Sequence, residues 1–126
     1  MALEPLGSTE LTPLERALLA AFHDRYRQQN FPAAGAFRVT NRENTGAGRF
    51  THLQHDGTLD HPDGQLDLGR YSQINMDGLE AGASFWVQIE HGKVAYLEII
   101  VNGDGGWPDG EGAWVICDPD TGEFPT

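Results

Sequence analysis

The chain is short of cysteine and of long apolar runs, and each shortage excludes a class of protein. Cys117 is the only cysteine among 126 residues, so no disulfide can form within the chain, and a reducing compartment suits it. No apolar stretch approaches the roughly 18 residues that a membrane helix needs. Residues 1–10 lack the basic and apolar regions of a secretion signal. We therefore expect a cytoplasmic protein that folds without a disulfide.

Positive charge is also scarce. The chain has 8 lysines and arginines against 19 acidic residues, a net charge of −11, and residues 71–126 hold only one cation, Lys93. Such a surface repels nucleic-acid backbones and anionic membranes, and it speeds encounters with cationic partners. The charge therefore disfavours nucleic acid and membrane and favours a protein partner with a basic surface. Acidity that serves solubility alone is the other interpretation.

The length fits one domain, because two halves of this chain would each be too small to bury a stabilising core. Residues 1–11 are expected to form a flexible leader and residues 12–126 a single domain. Thr12, Pro13 and Glu15 have the spacing of a capping box with proline at the first helical position. Apolar residues follow at helical spacing as far as Tyr26, which predicts an amphipathic helix that ends at Asn30 and Pro32.

After the helix, the pattern changes to short strand-like runs separated by glycine-rich and aspartate-rich turns. A helix followed by strands, without alternation, is typical of an α+β protein. The prediction is an N-terminal helix packed on one face of a curved antiparallel sheet of five to six strands. The candidate strands are 36–42, 49–55, 65–76, 84–90, 93–101 and 113–117.

Residues 84–101 form the clearest hairpin of the sequence. A three-residue loop, Glu90 to Gly92 with Gly92 left-handed, collects the apolar side chains on one face. That face is expected to pack on the helix, and it consists of Phe85, Val87, Ile89, Ala95, Leu97, Ile99 and Val101. The opposite face is half apolar and needs a cover, either more sheet or a partner; it consists of Trp86, Gln88, Val94, Tyr96, Glu98 and Ile100.

The loop over residues 102–112 is the first candidate binding site. Trp107 is a candidate aromatic anchor, and Asp104, Asp109 and Glu111 surround it with carboxylates, a composition that suits a basic protein surface. A Trp107 that folds back to cover the sheet edge is the structural alternative. Calcium binding by the three acids is disfavoured, because their spacing differs from that of an EF-hand.

Glu98 is the second candidate, since it lies near Trp86 and Tyr96 on the opposite hairpin face. A covered carboxylate among aromatic rings must find donors or take up a proton. Glu98 is therefore a binding residue, a general acid or base, or a structural hydrogen-bond acceptor.

Other chemistry finds little support in the sequence. His52 and His55 differ by an odd number on one strand and so point to opposite faces, which disfavours a metal site with His61 and the nearby aspartates. Thr45 to Gly48 leads into a strand and not a helix, so it is no phosphate loop. No serine or cysteine has the setting of a nucleophile. We expect no metal and no cofactor, and an enzyme is the less favoured class.

One set of motifs resembles a group of small uncharacterised bacterial proteins. These share an R-x-x-T-G-x-G-x-F-T run, here Arg42 to Thr51, a later G-x-x-x-x-L-E strand, here Gly92 to Glu98, and a Trp-Pro loop, here Trp107 and Pro108. The resemblance covers roughly residues 36–110 and implies a shared fold without a known reaction. Acidic bacterial proteins of this size are also similar in character to immunity proteins that neutralise toxins.

Three functions follow from these observations. The first is a cytosolic protein-binding module, of the immunity or inhibitor type, that neutralises a basic partner. The second is a small hydrolase or isomerase that uses Glu98 in a pocket on the Trp86 and Tyr96 face. The third is a self-associating structural domain that covers this face by forming a homodimer.

Overall fold

A computed structural model describes residues 9–108 and 110–125. Of the predicted leader, residues 1–8 lie outside the described part. The described part of the chain contains one α-helix, α1 (Pro13–Arg25), and two 3-10 turns, Arg27–Gln29 and Ala34–Ala36. Seven strands follow: β1 (Arg38–Asn44), β2 (Gly48–Gln54), β3 (Gly64–Leu66), β4 (Gln73–Met76), β5 (Ala83–Glu90), β6 (Lys93–Val101) and β7 (Trp114–Ile116).

The strands form one open antiparallel sheet in the order β1-β2-β6-β5-β4-β7, and β3 also pairs with β5. The N-terminal helix and this sheet confirm the predicted α+β class. No helix in the described part of the chain is long and apolar enough to cross a membrane.

Helix α1 begins as its capping box requires. The Thr12 hydroxyl accepts a hydrogen bond from the Glu15 amide at 3.1 Å, and the Glu15 carboxylate accepts one from the Thr12 amide at 2.9 Å. The helix ends at Arg25, five residues before the predicted Asn30. The reason is local: the chain tightens into a 3-10 turn, which Asn30 closes in a left-handed conformation with φ 65°.

The core lies between helix α1 and one face of the sheet. Leu14, Leu18, Leu19 and Phe22 are fully buried on the helix. The Phe22 ring meets the Phe85 ring edge to face, with 6.0 Å between their centroids. Each such side chain contributes about 1.5–3 kcal/mol to stability by leaving water. The predicted packing of the helix on the Phe85 face of the hairpin is confirmed.

The strand predicted over residues 65–76 is wrong as a single element, because it is two strands, β3 and β4. The segment between them leaves the sheet where it meets the C-terminal part of the chain. The Tyr71 amide donates to the Pro119 carbonyl at 2.9 Å. A side chain at Gly69 would collide with Pro119. The sheet therefore has seven strands where five to six were predicted.

The loop predicted for the β5–β6 hairpin is also wrong in length. Glu90 pairs with Lys93, so the turn has two residues, and both have positive φ: 54° at His91 and 74° at Gly92. This is the geometry of a type I′ turn, whose twist matches that of the strands. The register shifts between Gln88 and Ile89.

Because of this shift, Val94 and Ala95 exchange places between the core and the surface relative to the prediction. Val94 is buried and Ala95 is half-buried, whereas Ala95 was expected in the core. The Val94 amide is fixed by a 2.9 Å hydrogen bond to Nε2 of the buried His55. From Tyr96 onward the faces are as predicted.

Candidate binding site

The sheet face that points away from helix α1 carries the candidate site, which we call the open face. Its central side chains are neither fully buried nor fully exposed, and no element within residues 9–108 or 110–125 forms a second layer over them. They alternate along each strand with the core residues. The outward side chains of β2, β6 and β5 are Phe50, His52, Gln54, Tyr96, Glu98, Ile100, Ser84, Trp86, Gln88 and Glu90.

Four residues of the open face form a line across four neighbouring strands, which we call the acid–aromatic row. Glu43 pairs with Phe50, Phe50 with Glu98, and Glu98 with Trp86. Direct cross-strand partners place their side chains side by side on one face. Carboxylate and aromatic ring therefore alternate from β1 to β5, with one residue on each strand.

Hydrogen bonds and ring contacts fix the side chains of the acid–aromatic row. The Trp86 Nε1–H donates to Glu98 Oε1 at 3.0 Å. The Glu43 carboxylate lies 2.6 Å from Nε2 of His52. The Phe50 ring packs edge to face on Tyr96, with 5.2 Å between their centroids. These contacts hold the side chains in place, so their ordering in an interface would cost less conformational entropy.

The open face carries the carboxylates of Glu43, Glu90 and Glu98, and the cations Arg38 and Lys93 lie at its ends, where they pair with Gln54 and Glu90. Burial first, and then the charges of Glu98 and Glu90, raise the pKa of Tyr96 above its ordinary value. Both carboxylates therefore act on the space around the Tyr96 hydroxyl. A cation placed there would meet aromatic rings and carboxylates together, and both attract positive charge.

The other predicted site, the loop over residues 102–112, is packed against the rest of the protein at Trp107 and Glu111. The Trp107 side chain is half-buried against the core, and its amide donates to the Gly46 carbonyl at 2.9 Å. The Arg49 guanidinium lies over the Trp107 ring, 5.1 Å from its centroid. These contacts are those of the structural alternative, in which Trp107 folds back on the sheet. Asp104 is exposed, and Asp109 lies outside the described residues.

Glu111 is engaged within the protein. Its Oε2 accepts a hydrogen bond from Arg49 at 2.6 Å and one from the Thr12 hydroxyl at 2.8 Å. Its side chain is only 12% exposed. Arg49 points to the helix side of the sheet, opposite to the open face. The structure thus brings Trp86, Tyr96 and Glu98 together and places Trp107 and Glu111 in a different environment.

Glu111 belongs to a buried ionic network around Glu15. The Glu15 carboxylate is fully buried and accepts hydrogen bonds from Arg42 at 2.6 and 3.0 Å and from the Thr51 hydroxyl at 2.8 Å. An Arg49 nitrogen lies 3.1 Å from its second oxygen. Buried charges are tolerated only when paired in this way. The two arginines and two glutamates balance in charge, so the network stabilises structure and offers no net charge to a ligand.

This network also accounts for several residues of the run from Arg42 to Thr51. Arg42 and Thr51 are cross-strand partners, and both bind Glu15. Gly46 has a positive φ of 82° in the turn between them. A side chain at Gly48 would collide with the Ile99 backbone. Phe50 alone points outward, into the acid–aromatic row.

The histidines of the disfavoured metal site are spread over separate contacts. His52 faces Glu43, and Nε2 of His55 accepts a hydrogen bond from the Val94 amide. Nδ1 of His61 is 2.8 Å from the Pro62 carbonyl. Among the residues that the structure describes, no three histidine, cysteine or acidic side chains are grouped so that they could hold a metal ion.

A cavity of about 250 Å³ opens beside Trp86, and its walls include Gln65, Asp67, Arg70 and Ser84. Glu98 is not part of its lining. The cavity therefore gives the hydrolase or isomerase alternative no support, because a general acid or base must reach the bound substrate.

Sequence reasoning missed Glu43, Phe50 and His52 as members of the site. The signal was the alternation of faces along β2, where Phe50 and His52 point to one side of the sheet and Thr51 and Leu53 to the other. It was hidden because Arg49 and Thr51 are polar residues that point inward, where a sequence pattern would place apolar ones.

Comparisons of the chain with protein-family models, curated proteins and solved structures gave no match.

Proposed function

We propose that the protein is a small acidic binding module that neutralises a basic protein partner, as an immunity or inhibitor protein does, and that the partner docks on the open face. The observation that carries this proposal is the acid–aromatic row Glu43–Phe50–Glu98–Trp86. Aromatic anchors that are held in place and flanked by carboxylates have the composition of an interface centre for a cationic surface. The cytoplasm, as the place where the two proteins meet, is part of the same proposal.

The charge of the whole chain supports this proposal in a second way. A net charge of −11 accelerates the encounter with a cationic protein, and this acceleration falls as salt screens the charges. The earlier candidates Asp104 and Asp109 contribute to this long-range attraction. Trp107 and Glu111 are proposed to support the fold, because their contacts are internal.

The experiment is affinity capture from a bacterial extract at about 0.05 M and about 0.5 M salt, concentrations at which screening differs strongly. Glu98→Lys places a cation in the row, and Glu80→Lys places one in an exposed turn outside it. Both variants have the same net charge of −9, from −11 in the parent chain, so they differ only in where the charge changes.

We expect a basic protein that binds the parent chain and Glu80→Lys at low salt, binds Glu98→Lys at least about tenfold more weakly, and dissociates at high salt. Equal capture by the two variants would show that the interface lies outside the open face. Capture that does not change between the salt concentrations would contradict a partner chosen by charge.

A further inference from the structure

The spacing of the acid–aromatic row carries information about the shape of the partner. Neighbouring strands lie about 4.8 Å apart. Glu43 on β1 and Glu98 on β6 are separated by β2 alone, so their positions in the sheet are about 10 Å apart. Phe50 lies between them and Trp86 lies one strand further.

An α-helix laid across the strands matches this spacing. It advances about 5.4 Å per turn and presents residues i, i+4, i+7 and i+11 along one face. Each turn would therefore lie over one strand. A β-strand does not fit in this direction. Two of its residues about 10 Å apart, the distance between Glu43 and Glu98, are three positions apart, and such residues point to opposite faces of the strand.

We infer that the open face binds an amphipathic helix whose contact face reads basic, apolar, basic, apolar on successive turns. This inference rests on the proposed function and specifies the partner's contact element. The two basic side chains meet Glu43 and Glu98, and the two apolar side chains meet Phe50 and Trp86. The carboxylates and rings alternate with one residue per strand, so the same alternation is required of the helix.

Charge and packing both favour this occupant over a second copy of the chain. The acid–aromatic row carries the carboxylates of Glu43 and Glu98, whereas the cations Arg38 and Lys93 lie at the ends of the face, so two rows stacked on each other would repel across a dimer interface. A helix is also the element that covers the other face of the same sheet, where α1 packs on β5.

The test uses three synthetic peptides of identical charge and about 18 residues, long enough for helix formation. The first has arginine at positions i and i+7 and leucine at i+4 and i+11. The second has the same composition with arginine at i and i+4 and leucine at i+7 and i+11, so that the alternation is lost. The third repeats the first with two central residues replaced by proline, which prevents a helix.

Binding to the folded full chain is measured by titration calorimetry, with a 15N spectrum to locate the contact. We expect the alternating helix to bind about tenfold more tightly than either control, the effect of two partly desolvated ion pairs and two aligned apolar contacts. Glu43→Gln and Glu98→Gln should each remove part of that difference, and Glu80→Gln should leave it unchanged.

The outcomes separate the inference from the proposed function. If all three peptides bind the open face equally and lose affinity with salt, a basic partner is supported and the helical register is refuted. If the proline peptide binds best, the partner presents an extended segment. If no peptide shifts the signals of Trp86 or Glu98, both the docking face and the helix inference fail.

Discussion

Glu15 combines two tasks that are usually given to separate residues. It closes the capping box at the start of α1 and it neutralises two buried arginines. Burial opposes its ionised form, but the hydrogen bond from Arg42 and the charge of Arg49 outweigh burial, so the pKa of Glu15 is lowered. The carboxylate therefore remains charged although its side chain is fully buried.

Replacing Glu15 by glutamine should destabilise the fold by about 3–5 kcal/mol, because it removes the buried carboxylate that pairs with both Arg42 and Arg49. The measurement is urea unfolding followed by circular dichroism. Asp24→Asn is the control on the same helix, since its pair with Arg27 is exposed and its loss should change stability by less than about 1 kcal/mol. Similar losses in both variants would contradict the stabilising role of the network.

The same carboxylate makes stability depend on pH. A folded-state pKa below the unfolded value means that the unfolded chain takes up the proton first, so this part of the stability is present above about pH 4.5 and is lost as the pH falls through the folded pKa. Glu15→Gln should show a weaker loss of stability than the parent chain in this acidic window. A parallel loss in both proteins would assign the effect to other carboxylates.

Whether a contact of Glu15 could be predicted from the sequence depends on how far away its partner lies along the chain. The capping box needs only Thr12 and Glu15, three positions apart, and it was predicted correctly. The pairing of Glu15 with Arg42 links residues 27 positions apart, and no local pattern encodes such a contact. The cross-strand pair of Arg42 and Thr51 was within reach, since both flank one hairpin turn.

At the scale of elements, the β5–β6 hairpin decides which side chains reach the open face. Its register from Phe85 to Val101 followed from hydrophobic alternation, which is a strong signal where one face is buried. The bulge near Val94 did not, because it depends on the hydrogen bond from Val94 to His55, which follows β2 and is 39 positions away. Turn length and bulge compensate each other, so the predicted faces hold beyond Ala95.

Gly92→Ala should destabilise the protein by at least about 1–2 kcal/mol, since an L-residue is disfavoured at its positive φ. A side chain there would also overlap with Thr58. His91→Asn is the contrasting variant, because asparagine tolerates the left-handed conformation of the first turn position. It should be neutral or slightly stabilising. Thermal unfolding of both variants distinguishes the two-residue turn from the three-residue loop, in which position 91 would have no such preference.

At the scale of the whole molecule, helix α1 covers one face of the seven-stranded sheet, and no described element covers the other face. The α+β class followed from the order of patterns along the chain. The strand order did not, because β2 pairs with β6 and so joins segments that are far apart in sequence. Without that pairing, the acid–aromatic row could not be recognised, since its four members come from two hairpins, β1–β2 and β5–β6, that are far apart in sequence.

We expect the isolated protein to sediment as a monomer of 13.8 kDa at low salt, because like-charged open faces repel. Sedimentation velocity over a range of protein concentrations measures this directly. A dimer that Trp86→Ala dissociates, while Glu80→Gln does not, would instead support the self-associating domain and would remove the need for a basic partner.

The contact between Thr12 and Glu111 spans 99 positions, and it has a consequence for biosynthesis. A ribosome delivers the chain from its N-terminus at about 5–20 residues per second, and domains fold as units once their parts are present. Helix α1 emerges early with Glu15, the first counter-ion of Arg49, but the second counter-ion, Glu111, is made only just before β7. A nascent chain arrested before Glu111 emerges would lack one of the two carboxylates of the buried network, so we expect chaperones to bind the chain until this residue has been made.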